Sequence, residues 1–290
     1  MPVRDRAANS SRGRLRAVDN RTARRINRAH WDALAQAHGH GDPIYDIEAL
    51  IAGADSLGEA EAAGVRESVG AVAGLDVLHL QCHIGFDAIS LARRGARVVG
   101  VDFSPAALEK ARTLARRCEV DVQFVEAEAT KLPVELHNRF DLVYATIGVL
   151  VWIDDVRAWM RSAAAALRGG GQLLLVDIHP AYGMIGSLDP LRFDFPYAHD
   201  GPRTFDEPGS YAGVELPVAA TETVEYGHSL GEVVNAALAA GLRIQHLAEH
   251  MDAAYDPRGT VLQRDEDGRF RVRVDGEVLP MLFTLVAAKP

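Results

Sequence analysis

Between Asp76 and Val176 the chain alternates short apolar runs with amphipathic segments, and this rhythm limits the possible folds more than any other feature. The apolar runs are four or five residues long and occupy residues 77–80, 97–101, 122–125, 140–144 and 172–176. Strands separated by helices pair in parallel through right-handed crossovers. The pattern therefore predicts an α/β fold with a mostly parallel sheet covered on both faces.

Two segments precede this core. Residues 1–19 are rich in arginine and have no apolar periodicity, which predicts a disordered basic tail. An arm that binds an anionic partner is the alternative. Residues 20–74 contain two amphipathic stretches with apolar residues at helical spacing, which predicts an N-terminal helical cap.

The core runs over residues 75–290 and is interrupted after its fifth strand. Residues 180–227 combine several Tyr and Phe residues with many Pro and Gly and lack regular periodicity. A structureless loop of that length is uncommon in a compact domain, so we expect a lid or binding insertion here. Ser229 and Glu232 then form a capping box, which predicts that a helix resumes.

Charge and composition exclude several classes of protein. The net charge of −9 argues against general nucleic-acid binding, which needs clustered Lys and Arg. No apolar run approaches the ~20 residues of a membrane span, and the N-terminus lacks a secretory signal. Two cysteines, Cys82 and Cys118, give neither a disulfide framework nor zinc-ligand spacing. We expect a cytoplasmic protein without a metal, and its oligomeric state, including a homo-oligomer, stays open.

The chemistry concentrates between the first two strands. The sequence VLHLQCHIG, residues 77–85, reads as a strand and a tight turn that opens a helix. The next strand ends at Asp102, 17 residues after Gly85. Ligands of such sheets lie beyond the carboxyl ends of the strands, where an acid takes the ribose hydroxyls of a nucleoside. Asp102 is the candidate for that acid, and Phe103 offers an apolar face to an adenine ring.

These residues resemble the class I S-adenosylmethionine-dependent methyltransferases. The segments FDLVYATIGVLVW, RGGGQLLLVD, AGLRIQHL and LPMLFTLVAAKP resemble the later strands and connections of that family. The resemblance implies a Rossmann-like sheet of seven mostly parallel strands with the last strand antiparallel. It also implies S-adenosylmethionine as the cofactor and methyl transfer as the reaction.

The first loop departs from the family pattern of an acid followed by three alternating glycines. His79, Gln81 and His83 occupy the first three of those positions, and only Gly85 remains. The resemblance implies that Gln81 accepts a hydrogen bond from the cofactor's ammonium group, with His79 beside it. The alternative is that these substitutions leave a site that binds the cofactor weakly or not at all.

Position along the chain implies the remaining cofactor contacts. Glu128 and Ala129 fall where the family places an acid near the adenine amino group. Ala145 and Thr146 follow the fourth strand and would border the methionine part, and Tyr45 would close over it. A solvated carboxylate at Glu128 and a packing role for Tyr45 are the alternatives.

Two histidines are candidates for a catalytic base. His179 follows the fifth strand directly and His228 precedes the capping box, so both are placed near the ligand edge of the sheet. A histidine can take a proton near neutral pH, which only an acceptor that carries a proton would require. A structural role is the alternative for each histidine.

The resulting prediction is methyl transfer from S-adenosylmethionine to a small, partly apolar metabolite, with the acceptor atom (O, N or C) undetermined. One alternative is a protein of the same fold that binds S-adenosylmethionine without methylating. The other is an NAD(P)-dependent oxidoreductase, since Asp102 would also suit a dinucleotide ribose. That alternative needs loop glycines for the pyrophosphate, which Gln81 and His83 replace.

Overall fold

A computed structural model describes residues 14–15, 18–41, 44–188, 190–193, 195–198, 201–207, 209–212, 219–256, 262 and 264–290. The helices are α1 (Asn20–Ala37), α2 (Ile47–Ile51), α3 (Glu59–Val69), α4 (Phe86–Arg93), α5 (Pro105–Arg117), α6 (Val156–Ala166), α7 (Pro180–Gly183) and α8 (Leu230–Ala239). The strands are β1 (Arg14–Leu15), β2 (Asp76–Leu80), β3 (Arg97–Asp102), β4 (Val122–Glu126), β5 (Phe140–Thr146), β6 (Leu167–Ile178), β7 (Ile185–Leu188), β8 (Leu191–Phe193), β9 (Arg203–Asp206), β10 (Glu222–Glu225), β11 (Arg243–His250), β12 (Val272–Val274), β13 (Glu277–Leu279) and β14 (Leu282–Ala288).

Seven of these strands form the central sheet, in the order β11-β14-β6-β5-β2-β3-β4. The neighbours from β6 to β4 pair in parallel, whereas β14 runs antiparallel to both β11 and β6. The predicted Rossmann-like fold, with its last strand inserted antiparallel, is confirmed. Because β2, β3 and β5 are parallel, their carboxyl ends meet at one edge of the sheet.

Hydrophobic layers cover both faces of the sheet. On one face α6 and α8 pack against it, with Trp159, Phe140 and Met160 fully buried. On the other face lie α4 and α5, with Ile89 and Leu108 fully buried. Strands enclosed on both faces read as continuous apolar runs, which is why the sequence pattern located them.

Residues 180–227 hold more regular structure than expected. Helix α7 and the antiparallel hairpin of β7 and β8 begin the segment, and β9 pairs antiparallel with β10 further on. The sequence analysis predicted only a lid or binding insertion here and did not locate these elements. Strands this short span too few residues to show a periodic pattern in the sequence.

The arginine-rich N-terminus also differs from the expectation at two residues. Arg14 and Leu15 form β1, which pairs antiparallel with Thr204 and Arg203 of β9. The prediction of a disordered tail is therefore wrong at these two positions. Residues 1–13, 16 and 17 lie outside the described residues.

Helix α1 forms the predicted cap and is fixed by a buried amide. The side chain of Asn27 donates to the Val224 carbonyl at 2.7 Å and accepts from the Val224 N–H at 2.8 Å, so it pairs with β10 as a neighbouring strand would. Ser104 Oγ, at the start of α5, donates to Asp32 of α1. These contacts hold α1 over the carboxyl edge of the sheet. In the described part of the chain, no helix is long and apolar enough to span a membrane.

Candidate functional site

The loop after β2 has backbone angles typical of glycine at three positions, although only one of the three residues is glycine. Gln81, His83 and Gly85 have φ values of 56°, 48° and 82°, all in the left-handed region. Residues other than glycine adopt these backbone angles rarely and at an energetic cost. At Gly85 an added Cβ would lie 3.0 Å from the Ala111 Cβ, so packing also favours glycine there.

Asp102 ties this loop to the end of β3. Its Oδ2 accepts the His83 N–H at 2.9 Å, and its Oδ1 accepts the Ser104 N–H at 2.9 Å. Asp102 is only 7% exposed. Burial raises the pKa of Asp102 to about 6, while the two N–H donors oppose that rise. The carboxylate therefore lies at the predicted position and also shapes the loop.

A small cavity opens next to Asp102. Phe103, Glu128 and Ala129 line it together with Gln81 and Trp152. Three residues predicted for adenine binding are thus brought to one place. The free volume is about 40 Å³, little more than one water molecule requires. A nucleoside needs a larger site than this free volume provides.

A buried cluster of acidic and phenolic groups lies further along the same edge. Asp87, in the first turn of α4, accepts hydrogen bonds from Tyr144 Oη at 2.8 Å and from Thr146 Oγ1 at 3.0 Å. Glu61 of α3 is 7% exposed. Burial raises the pKa of Glu61 to about 7, and the charge of Asp87 adds to the rise. We call Glu61, Asp87 and Tyr144 the acidic cluster.

The acidic cluster has no basic counter-charge in the structure as described. Among the residues that the structure describes, no Lys or Arg forms an ion pair or a hydrogen bond with Glu61 or Asp87. Burying a carboxylate without a partner is costly. Such a site favours the binding of a cation.

His79 lies beside the acidic cluster. Its ring centroid is 5.0 Å from that of Tyr144, in an edge-to-face arrangement. The side chain is 4% exposed, and its Nδ1 has no hydrogen-bond partner among the described residues. Burial lowers the pKa of His79 to about 4, against the opposing charge of Asp87. A neutral, buried imidazole with an unpaired nitrogen therefore faces the cation-favouring region.

Aromatic rings from the cap, the loop and the 180–227 segment meet above His83. The His83 ring centroid lies 5.0 Å from Trp31, 4.9 Å from His38 and 5.4 Å from Tyr45. Tyr45 Oη is 2.5 Å from Tyr211 Oη, which joins the N-terminal loop to the 180–227 segment. We call Trp31, His38, Tyr45, His83 and Tyr211 the aromatic box. Its rings pack directly around His83 of the loop.

The central part of the chain matches a known family. Residues 77–171 match the family model described as a methyltransferase domain. This part of the chain is therefore similar to a methyltransferase domain. A ubiquinone biosynthesis O-methyltransferase from Alkalilimnicola ehrlichii is 32% identical to it over 155 residues, which are 52% of this chain and 58% of that protein. The matched region thus spans little more than half the length of this curated relative.

Solved structures agree on the fold. An S-adenosylmethionine-dependent methyltransferase from Mesorhizobium loti has a TM-score of 0.53 at 22% identity, over 82% of this chain and 99% of that chain. The [4+2]-cyclase SpnF has a TM-score of 0.52 at 17% identity, over 79% and 80% of the two chains. At these identities the likeness concerns the fold alone, and reaction chemistry has to be argued from the site.

S-adenosylmethionine is the cofactor that the likeness to methyltransferases implies, and the residues present fit it. The molecule carries a sulfonium and an ammonium group, and the acidic cluster supplies two carboxylates without a basic partner. Asp102 and Phe103 stand at the end of β3, where the adenosine part is expected. Asp87 and Glu61 would hold the ammonium group, and Asp102 would hold the ribose.

The side chain of Gln81 is engaged in two hydrogen bonds within the protein. Its Oε1 accepts the Trp159 indole N–H at 2.9 Å, and its Nε2 donates to the Val149 carbonyl at 3.0 Å. The amide thus connects the loop with α6 and with the turn after β5. This bonding does not support Gln81 as the ammonium acceptor, and Asp87 and Glu61 replace it in the proposal.

The last two residues of β5 differ in role, because one packs in the core and the other lies at the site. Ala145 is fully buried in the core, so only its backbone is available to a ligand. Thr146 reaches Asp87 as described above. Asp177 at the end of β6 accepts the N–H groups of Gly148 and Leu150 and so fixes the turn that follows β5.

Both histidines predicted as bases make structural contacts. His179 caps α7: its Nδ1 accepts the Ala181 N–H at 3.1 Å, so its neutral form carries the proton on Nε2, 2.8 Å from Glu249. Neutral His179 therefore has no free lone pair and cannot act as a base in this arrangement. His228 Nε2 lies 2.7 Å from the Ile153 carbonyl and links the start of α8 to the turn after β5.

Most aromatic residues of the 180–227 segment do not reach the site. Tyr182 is fully buried and donates to Asp256, and Tyr226 packs beside α1. Phe193 is largely exposed. Tyr211 alone among the described aromatic residues of this segment joins the aromatic box.

Sequence reasoning missed three residues of the site. Asp87 could have been found from the sequence, since an acid in the first helical turn after the loop lies close to the ligand edge of the sheet. Glu61 and His38 had none, because each lies on a cap helix whose docking onto the sheet is a tertiary contact.

Proposed function

We propose that the domain transfers a methyl group from S-adenosylmethionine to an oxygen atom of a small, partly apolar metabolite. The buried acidic cluster without a basic partner carries the proposal, because it suits a cationic cofactor. An oxygen acceptor is favoured by the curated relative, which is named an O-methyltransferase. The net charge of −9 favours a small molecule over a nucleic acid.

We infer that the apolar portion of the acceptor lies near the turn after β5, next to a buried apolar cluster. Tyr182, Ile185, Met281 and Leu282 form a buried cluster, against which Ile147 of that turn is packed. Ligand sites are mostly apolar with a few polar groups that fix orientation. This cluster supports an acceptor with an apolar portion.

The chain's main task in this reaction is positioning. Bound S-adenosylmethionine supplies an electrophilic methyl carbon on a positively charged sulfur. Asp102 holds the loop, the acidic cluster holds the charged end of the cofactor, and the aromatic box excludes water. Fixing two reactants at ~3–3.5 Å supplies a large part of the rate acceleration of a displacement reaction.

The assay combines binding with turnover. Calorimetry with S-adenosylhomocysteine and with NADH separates a methyltransferase cofactor site from a dinucleotide site. Labelled S-adenosylmethionine is then incubated with alkyl-substituted phenols, catechols, amines and a metabolite extract, and labelled products are identified. We expect S-adenosylhomocysteine to bind, NADH not to bind, and label to enter an oxygen acceptor. Binding without any labelled product would support the protein of the same fold that does not methylate.

Asp102→Ala should weaken S-adenosylhomocysteine binding by about 1–3 kcal/mol, or roughly 5- to 150-fold, because the ribose hydroxyls and the loop N–H groups lose their acceptor. The measurement is calorimetry on the folded variant. Glu126→Gln is the matched control, since Glu126 stands opposite Asp102 on β4 and is half exposed. Equal affinity of the two variants would remove Asp102 from the cofactor site.

A further inference from the structure

The segment that follows β11 packs against the apolar cluster beside the turn after β5. Ala253 of this segment is buried in that cluster and pairs with Phe270 through two backbone hydrogen bonds of 3.0 and 2.9 Å. Tyr182, in the same cluster, donates from its hydroxyl to Asp256 at 2.7 Å. The chain is therefore fixed on both sides of Tyr255, next to the place inferred for the acceptor.

Tyr255 lies where three carboxylates of the ligand edge meet. The charges of Glu61, Asp87 and Asp177 all act on its hydroxyl. These carboxylates come from α3, from the first turn of α4 and from the end of β6, so they place Tyr255 at the carboxyl edge of the sheet. Asp177 also holds the turn after β5 through two of its backbone N–H groups.

The Tyr255 hydroxyl is a permanent hydrogen-bond donor. Burial raises the pKa of Tyr255 well above its ordinary value, and the charge of Glu61 is the next largest cause of the rise. Low dielectric and nearby negative charges both disfavour the phenolate. The hydroxyl therefore keeps its proton throughout the physiological pH range and can donate it in a hydrogen bond.

This donor is unused within the protein. The hydroxyls of Tyr45 and Tyr211 bond to each other, and the hydroxyl of Tyr144 donates to Asp87. In contrast, the hydroxyl of Tyr255 has no hydrogen-bond partner among the residues that the structure describes. A tyrosine hydroxyl in a buried setting usually finds a partner. The free donor of Tyr255 is therefore available to a ligand.

The charges at this edge do not suit an anionic acceptor. Glu61 and Asp87 have no basic partner among the described residues, and the hydrogen bonds of Asp177 come from backbone N–H groups. Bound S-adenosylmethionine brings a sulfonium, an ammonium and a carboxylate, hence a net single positive charge. The carboxylate of Asp87 already balances that charge. A negatively charged acceptor would be repelled by the remaining carboxylates.

We propose that Tyr255 determines acceptor specificity by donating a hydrogen bond to an uncharged oxygen of the acceptor, while the surrounding carboxylates exclude acceptors with a negative charge at this end. This rests on the proposed function. The oxygen bonded by Tyr255 is a second oxygen, such as a carbonyl, and not the one that is methylated. A donated hydrogen bond occupies a lone pair and lowers the nucleophilicity of an attacking oxygen. The acceptor is thus a neutral hydroxyl compound with an apolar portion and an uncharged carbonyl-type oxygen.

The first test compares two phenols that differ in charge. The protein is loaded with S-adenosylhomocysteine at pH 7 and titrated by calorimetry with 4-hydroxybenzamide or with 4-hydroxybenzoate. The two probes have nearly the same size, but only the benzoate is an anion. We expect the amide to bind at least about tenfold more tightly, because like charges placed together oppose binding.

The second test uses Tyr255→Phe with the same loaded protein. The affinity for 4-hydroxybenzamide should fall roughly tenfold, since the carbonyl oxygen loses its donor. The affinity for 4-ethylphenol, which lacks the carbonyl, should stay within about twofold, and that for S-adenosylhomocysteine within about threefold. Tyr197→Phe is the matched control, because Tyr197 is 40% exposed and lies outside the acidic cluster and the aromatic box. It should leave all three affinities unchanged.

The outcomes separate this inference from the proposed function. A wild-type protein that does not bind 4-hydroxybenzamide, or binds it no more tightly than the benzoate, would overturn the inference. So would a Tyr255→Phe variant that keeps its affinity for the amide, or that loses affinity for the amide and for 4-ethylphenol equally, since the latter indicates a structural role. Selective binding of the amide without methylation by S-adenosylmethionine would support the inference and contradict the proposed function. Equal methylation of the amide and the benzoate would do the reverse.

Discussion

Replacing Trp159 with alanine should lower the free energy of unfolding by about 3–5 kcal/mol, the usual cost of truncating a buried tryptophan. Trp159 lies on α6 and is fully buried in the layer beneath the sheet. Its indole N–H also donates to Gln81 Oε1 at 2.9 Å. The substitution therefore creates a large cavity and removes the donor that orients a loop residue. Urea denaturation followed by far-UV circular dichroism measures the change.

Trp159→Phe separates the two contributions. Phenylalanine keeps most of the buried apolar surface but leaves the Gln81 oxygen without its donor, which should cost about 1–3 kcal/mol. We also expect Trp159→Phe to weaken S-adenosylhomocysteine binding, because Gln81 lines the cavity beside Phe103. If Trp159→Ala loses less than about 1 kcal/mol, the packing of α6 against the sheet differs from the one described.

Sequence patterns located the core because they reflect local rules. The first five strands of the central sheet are continuous apolar runs, and the family resemblance supplied the antiparallel insertion of the last one. Pro105 and Ser229 mark the starts of α5 and α8 through the first helical position and a capping box. These features depend on residues close together in the chain.

The site was only partly predictable because much of it depends on docking. Asp102, Phe103 and Glu128 were located from their position after strands, which fixes them relative to the sheet edge. The pairing of His38 with His83 joins residues 45 positions apart. No periodicity or spacing connects them, and only the placement of α1 over the loop does.

His179 illustrates the converse error. Its position directly after β6 correctly placed it at the end of the strand, but position does not reveal what a side chain bonds. Pro180 follows as the first residue of α7, and a short helix needs an acceptor for its free N–H groups. The His179 ring supplies that acceptor, so a local capping requirement uses the nitrogen that a base would need.

Glu61→Gln should make the protein more stable at alkaline pH, by up to about 3 kcal/mol at pH 8 and by almost nothing at pH 4. Burial raises the pKa of Glu61 from 4.5 to about 7. Between these values the folded state binds more protons than the unfolded state, so the unfolding free energy falls as pH rises. A shift of that size corresponds to ~3 kcal/mol at 1.36 kcal/mol per pKa unit. Glutamine does not ionise, and its contribution stays flat.

The matched control is Glu67→Gln, since Glu67 lies on the same helix with its side chain about half exposed. Urea denaturation at pH 4, 6 and 8 should give a growing difference for Glu61→Gln and none for Glu67→Gln. Glu61→Gln should also weaken S-adenosylhomocysteine binding above pH 7, because the neutral amide no longer attracts the ammonium group. A gain in stability together with a loss of binding would indicate that the buried carboxylate serves ligand binding at the expense of stability. A stability difference that does not change with pH would contradict the buried carboxylate without a basic partner on which the cofactor assignment depends.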